Sequence, residues 1–144
     1  MNETIEKFGY PETLVCEYEH WVVLLRPQQV TLGSLILACK EPVLEFGAVS
    51  AAGYAELKSA TAELEQALSA AFGYQKINYL MLMMVDPHVH FHVIPRYAEA
   101  PTLDGRVFPD QSWPGPPALN MHTETDASAN QAIIDAIRAC WPAA

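Results

Sequence analysis

The sequence predicts an α+β domain: an antiparallel sheet of about five strands, with one long helix packed on it and a second helix at the C-terminus. Three observations support this class. Short apolar segments rich in strand-forming residues follow one another with short links. A long amphipathic segment separates the third predicted strand from the fourth. A second amphipathic segment lies near the end of the chain. Sequential strands with short connections favour antiparallel pairing, with the long helix lying across one face.

Length and composition indicate a single domain over residues 1–144. The chain has 144 residues, of which 51% are hydrophobic and 17% are charged, as expected for a globular protein with a sizeable core. Its formal net charge of −9 argues against binding a nucleic acid polymer, which normally requires a basic surface. A mononucleotide is compatible with this charge, because a local pocket can bind phosphate through a few donors.

Targeting signals and cysteine spacing indicate a soluble, cytoplasmic protein. The N-terminus has no basic region followed by an apolar core, and the longest apolar run, 80–85, is too short to span a membrane. The three cysteines are far apart and match no metal-binding pattern. We therefore expect reduced thiols and no contact with a membrane.

The predicted core covers about residues 13–97, and each of its elements has a local signal. The elements before the long helix are a short helix over 1–11, strands over 13–18 and 21–25, a turn at 19–20 and a third strand over 34–39. Gly9 and Pro11 end the first helix. His20 lies in the turn, where its ring is expected in solvent. We expect a helix of about 21 residues next, with Ser50 as its N-cap and Gly73 after its last turn.

A buried strand over 76–85 is predicted to follow the long helix. It contains three methionines, which are expected to fill the core, since they lie in a continuous apolar run. The link 85–88 would then close a hairpin onto the next strand.

The remainder of the chain is predicted to be a proline-rich loop over 98–125 and a helix over about 128–141. A loop of this length is usually functional or disordered. Phe108, Trp113 and Leu119 indicate packing, either over the face of the preceding strand or against a partner subunit. Ser128 and Gln131 have the spacing of a capping box for the last helix.

Three of the five histidines occur at a spacing of two. His88, His90 and His92 alternate with apolar residues that end in Val93-Ile94. Side chains of a strand alternate between its faces, so the three imidazoles would share one face while the apolar residues point into a core. On a helix the same spacing would scatter them.

Two kinds of chemistry suit three histidines on one face. Paired imidazoles on a strand can hold zinc, although three ligands from one strand would lie in a line. Alternatively, an imidazole is largely neutral at pH 7 and can attack phosphorus, while its neighbours donate hydrogen bonds to the phosphoryl oxygens. A row of histidines without function is the third interpretation.

The segment His88-Val89-His90-Phe91-His92-Val93-Ile94 resembles the signature of the histidine-triad family of nucleotidyl hydrolases and transferases. Pro95-Arg96 resembles the branch that hydrolyses dinucleoside polyphosphates. The resemblance covers roughly residues 13–97. It implies a homodimer that binds a nucleotide through the α-phosphate.

The resemblance also implies a role for each histidine. His90 would be the nucleophile that forms a nucleotidyl-histidine intermediate, His92 would hydrogen-bond the phosphate and assist the leaving group, and His88 would orient the set. Water would then release a nucleoside monophosphate. No metal is required for the nucleophile, although magnesium can arrive with a polyphosphate substrate.

The surroundings of the motif differ from the family pattern. Ser34 stands where a fourth histidine is common, Arg26 replaces an acidic or amide residue that holds the ribose, and 83–87 replaces a glycine–glutamine loop. Arg26, Ser34 and Arg96 are the candidate anion-binding residues. The alternatives to an enzyme are a nucleotide-binding or sensing module without turnover and a three-histidine metal protein. The sequence does not specify the base, the leaving group or a role for His122.

Overall fold

The computed structural model describes residues 1–142. Its helices are α1 (Glu3–Lys7), α2 (Ala51–Phe72) and α3 (Ala127–Ala139), and its strands are β1 (Leu14–Glu17), β2 (Trp21–Leu25), β3 (Leu35–Cys39), β4 (Lys76–Leu80), β5 (His90–Arg96), β6 (Thr102–Leu103) and β7 (Arg106–Val107). The first five strands form an antiparallel sheet in the order β1-β2-β3-β5-β4. The predicted α+β class is therefore confirmed.

The sheet has an apolar layer on each face. On β2, Trp21 and Val23 contact the main core, which also includes residues of α2 and α3, whereas Val22 and Leu24 belong to a smaller cluster with α1. This alternation follows from the two-residue period of a strand. β5 follows the same rule, since Val93 packs in the main core. Consequently His90 and His92 lie on the face that carries α1.

The long helix begins and ends where the sequence predicts. Ser50 is its N-cap, and its hydroxyl accepts a hydrogen bond from the N–H of Gly53. Gly73 follows the last turn with a φ of 63°, a left-handed conformation that glycine adopts without a steric penalty. Leu64 and Leu68 are buried against the sheet.

The strand before the histidine motif is shorter than predicted. β4 ends at Leu80, and residues 81–89 form a loop that is longer than the predicted four-residue link 85–88. Met83 has a φ of 55°, which is incompatible with an extended strand, and Pro87 has no N–H to donate to a ladder. Met84 and Val85 are exposed by 85% and 80%. The expectation that all the methionines fill the core is therefore wrong for Met84.

Two further local expectations are corrected. The ring of His20 is largely buried rather than in solvent, because its Nδ1 lies 3.2 Å from a carboxylate oxygen of Glu41. The N-cap of α3 is Asp126, whose carboxylate accepts a hydrogen bond from the N–H of Ala129. Ser128 lies within the first turn, and Gln131 bonds to Asp135 instead of closing a capping box.

The proline-rich segment 98–125 packs on the domain. It includes the β6–β7 ribbon, and Phe108 is buried in the main core beside α3. A second anchor is Arg96, which forms an ion pair with Asp110 at 2.8 Å. Within residues 1–142, no helix combines the length and the apolar composition that crossing a membrane requires.

Candidate functional site

His90 is held in one tautomer by the backbone. It is the first residue of β5 and is only 2% exposed. Its Nδ1 lies 2.7 Å from the carbonyl oxygen of His88. A carbonyl oxygen can only accept, so Nδ1 carries the hydrogen and a neutral ring keeps its lone pair on Nε2. Among the described residues, Nε2 of His90 has no hydrogen-bond partner, which leaves this lone pair available.

His92 is held in the opposite tautomer by Arg26. The Nε–H of Arg26 donates to Nδ1 of His92 at 3.3 Å, because a guanidinium has no acceptor. A neutral His92 therefore carries its hydrogen on Nε2. The rings of His90 and His92 lie 5.3 Å apart between centroids, on the same face of β5. The site thus places a lone pair and an N–H donor side by side.

His88 lies outside the strand and contributes its backbone carbonyl to this arrangement. It precedes β5, so the prediction that all three histidines share one strand face is confirmed only for His90 and His92. Its Nδ1 lies 3.2 Å from the hydroxyl of Thr4, and its backbone N–H donates to the same hydroxyl at 3.3 Å.

Helix α1 lies against the imidazoles. The ring of Phe8 lies 5.7 Å from that of His90 and 5.9 Å from that of His92, between centroids. Lys7 forms an ion pair with Asp86 at 2.6 Å, which connects α1 to the loop before His88. A small pocket of about 130 Å³ opens onto both imidazoles and is lined by residues 82–86, His90 and His92.

The surroundings of His92 lower its pKa to about 4. Burial disfavours the imidazolium, and the positive charge of Arg26 and the proximity of His90 act in the same direction. His92 is therefore neutral at pH 7, and in this state it can only be a hydrogen-bond donor through Nε2.

The depressed pKa of His92 predicts a pH-dependent stability. Between about pH 6.5 and 4 the unfolded chain binds a proton at His92 and the folded chain does not, so stability falls as the pH is lowered through this window. The full effect, reached below pH 4, is about 3 kcal/mol. Urea unfolding between pH 4.5 and 7.5 measures this effect. The free energy of unfolding should fall less on acidification in His92→Asn than in wild type. Gln111→Asn, at an uncharged and exposed position of the proline-rich segment, should retain the wild-type slope.

Arg96 does not reach the triad. Its guanidinium is buried, and its five hydrogen bonds are made with Asp110, Asn78, Ser112 and the carbonyl of Gly115. Its donors are therefore used to hold the proline-rich segment. In this structure Arg96 thus has a structural role away from the histidines, and substrate binding by Arg96 stays a prediction.

The hydroxyl of Ser34 also forms its hydrogen bonds away from the triad. The residue is fully buried, and its hydroxyl donates to the carbonyl of Thr31 at 2.8 Å and accepts from the N–H of Thr31 at 3.0 Å. These bonds close the turn before β3. Of the three predicted anion-binding residues, the structure brings only Arg26 into contact with a triad histidine.

The three triad histidines do not form a compact ligand set. In the part of the chain that the structure describes, the histidine, cysteine and acidic side chains that bring ligand atoms within 4.8 Å of one another are Glu19, His20 and Glu56. They lie at the β1–β2 turn and the start of α2. The geometry of the triad gives no support to the three-histidine metal hypothesis.

Comparisons with known proteins agree with the motif. Two solved structures, the histidine triad protein of Bradyrhizobium japonicum and a histidine triad protein of Sinorhizobium meliloti 1021, are each 20% identical to this chain, with TM-scores of 0.75 and 0.76. The first comparison covers 98% of this chain and 96% of the other, and the second covers 97% and 95%. The chain has the histidine-triad fold.

A HIT family protein of Bacillus anthracis has 26% identity and a TM-score of 0.58 over 67% of this chain and 72% of its own. No protein-family model and no curated protein matches the sequence. The likeness therefore rests on structure, with the motif His88–Ile94 lying at the start of a central strand of the histidine-triad fold.

The sequence did not identify the contribution of α1 to this site. Thr4, Lys7 and Phe8 occur at three- and four-residue spacings, which places them on one side of a helix. This spacing was the available signal, but a helix of five residues is marginal by itself and gives no indication of what it packs on.

Proposed function

We propose that this chain is a nucleotide hydrolase or nucleotidyltransferase in which His90 attacks the α-phosphate. The observation that carries the proposal is the hydrogen bond from Nδ1 of His90 to the carbonyl of His88. It directs the lone pair of a neutral imidazole to Nε2, and the pocket beside the ring gives a phosphoryl group access.

The proposed reaction has two displacements. Nε2 of His90 forms a bond to the α-phosphorus while the bond from phosphorus to the leaving-group oxygen or nitrogen breaks, and the leaving group departs with the electron pair. A water oxygen then attacks phosphorus, the P–N bond to His90 breaks, and a nucleoside monophosphate is released. If an alcohol or a phosphate replaces water, the same intermediate gives nucleotidyl transfer.

Two groups would stabilise the charge on the phosphoryl oxygens. His92 presents Nε2–H as a neutral donor, since Arg26 occupies its Nδ1. Arg26 supplies a positive charge at the same place, and its Nη2 has no partner among the described residues. Preorganised donors of this kind act where charge develops in the transition state.

A second pocket is available for the rest of the substrate. It has a volume of about 280 Å³ and adjoins Arg26. It is lined by Lys7, Phe8, Arg26, Pro27 and Gln28. The nucleoside would occupy this pocket, with its α-phosphate directed toward His90. Dinucleoside polyphosphates are the first substrates to test because of the Pro95-Arg96 resemblance, and magnesium would enter only with such a substrate.

A panel assay tests the proposal. Purified protein is incubated with dinucleoside polyphosphates, nucleoside phosphoramidates and adenylylated compounds, and the products are separated by chromatography. We expect a nucleoside monophosphate and, after rapid denaturation, an acid-labile nucleotide bound to the protein. Binding by calorimetry without any product would instead identify a nucleotide-binding module and refute the enzymatic proposal.

A homodimer in the cytoplasm is part of the same proposal. β4 is an edge strand, and the exposed residues Leu82, Met84 and Val85 follow it closely. An exposed apolar patch beside an open sheet edge is typical of an interface. Sedimentation velocity should give twice the mass of one chain. A monomer at micromolar concentration would exclude the homodimer. The three free cysteines suit a reducing compartment.

A further inference from the structure

We infer that Asp86 is a specificity-determining residue that weakens the binding of a doubly charged phosphate, and that Lys7 sets how strongly Asp86 acts. The inference rests on the proposed reaction at His90. It begins with the pocket of about 130 Å³ that gives a phosphoryl group access to the imidazoles. Among the residues that line this pocket, Asp86 alone has an acidic side chain.

The carboxylate of Asp86 is partly shielded from solvent. Its side chain is 16% exposed, and its Oδ1 lies 2.6 Å from Nζ of Lys7. Groups that line so small a pocket lie within about the Debye length of 8 Å, so salt screens their charges only in part. Burial and the charge of Arg26 lower the pKa of His92, and Asp86 opposes them by raising it. A phosphoryl group in the pocket would be exposed to the same negative charge.

The substrate and the product of the proposed reaction differ in charge at this phosphorus. The α-phosphate of a substrate is bonded to two further groups and carries one negative charge. A nucleoside monophosphate, like other phosphate monoesters, carries about 1.5 to 2 negative charges at pH 7, because its second pKa is near 6. The additional charge is repelled by Asp86. The carboxylate should therefore weaken the binding of the product more than that of the substrate, which favours product release.

Lys7 moderates this repulsion. Its ammonium group offsets part of the negative charge of Asp86, but the side chain of Lys7 is 53% exposed, so water weakens the pair and the compensation is incomplete. Lys7 also lines the neighbouring pocket of about 280 Å³ together with Arg26. Positive charge thus lies beside the proposed nucleoside pocket, while the negative charge of Asp86 lies beside the phosphoryl group.

Calorimetry at pH 7.5 tests the inference with two ligands that differ by one charge. The ligands are the four common nucleoside 5′-monophosphates and the methyl esters of their phosphates, and the pair that binds most tightly is used throughout. We expect Asp86→Asn to lower the ratio of dissociation constants, monophosphate over ester, by about 3- to 30-fold. Lys7→Met should raise this ratio, and its effect should be at least about 5-fold smaller in the Asp86→Asn background. Lys58→Met removes an exposed lysine of α2, on the other face of the sheet, and should leave the ratio unchanged.

The outcomes separate this inference from the proposed function. A wild-type ratio in Asp86→Asn would overturn it, as would a failure of this variant to bind either ligand, since the repelling charge has been removed. An equal effect of Lys7→Met in both backgrounds would mean that Lys7 acts on the ligand directly and not through Asp86. An ion pair with a half-exposed partner contributes little to stability, so the variants should fold, and Asp86→Ser serves if Asp86→Asn does not. An absence of turnover in wild type would refute the proposed function, and the dissociation constants would still decide the role of Asp86.

Discussion

Replacement of His90 by alanine should abolish turnover while the fold is retained. The variant has no Nε2 lone pair at the pocket, so the nucleotidyl-histidine intermediate cannot form. We expect kcat to fall by at least about 10³-fold, since loss of a nucleophile removes the chemical step itself. The measurement is product formation on the best substrate of the panel, together with trapping of labelled nucleotide on the protein.

Two controls accompany this variant. His122→Ala changes a histidine whose ring is hydrogen-bonded to Glu124 in the loop before α3, and it should keep wild-type kcat. Circular dichroism and a thermal melt should show that His90→Ala is folded. Retention of the trapped adduct in His90→Ala would reassign the nucleophile, and the same label should then be sought on His92.

Removal of the Asp110 carboxylate should cause the largest loss of stability. The side chains of Arg96 and Asp110 are only 4% and 2% exposed, so Asp110→Ala leaves a buried guanidinium without its counter-charge. Breaking a buried pair in this way costs about 3–5 kcal/mol. Asp110 also accepts from the N–H of Tyr97, and this bond is lost as well. Chemical denaturation followed by far-UV circular dichroism measures the free energy of unfolding.

A matched surface variant and a double variant make this prediction specific. Glu99→Ala removes an exposed carboxylate from the same segment and should change the free energy of unfolding by less than about 0.5 kcal/mol. Asp110→Leu combined with Arg96→Met removes both charges and should recover part of the loss. If Asp110→Ala lowers the free energy of unfolding by less than about 1 kcal/mol, the ion pair does not anchor the proline-rich segment.

The features that could be predicted from the sequence are those set by local periodicity. The predicted bounds of β2 and the predicted caps of α2, Ser50 and Gly73, match the observed elements, because alternation and capping are encoded within each segment. The spacing of His90 and His92 likewise suffices to place both rings on one face of a strand. These signals need no information from distant residues.

The features that could not be predicted depend on contacts between segments that are distant in the sequence. Arg96 follows the motif and is positively charged, which suggests anion binding, but Asp110 lies fourteen residues away and neutralises it. Thr4 is eighty-four residues from His88, and no local pattern links them. β4 ends at Leu80, and the left-handed conformation of Met83 three residues later has no signal in the local sequence.

The alternation along β5 constrains how this site can change. Val93 is packed between the sheet and its helices, and the imidazole of His92 is one residue away on the opposite side. A single inserted or deleted residue inside the strand would exchange the two, burying an imidazole among apolar groups and exposing a valine to substrate. Substitutions within the strand preserve this arrangement of faces, whereas a change of length is compatible with it only in the loops that border the strand.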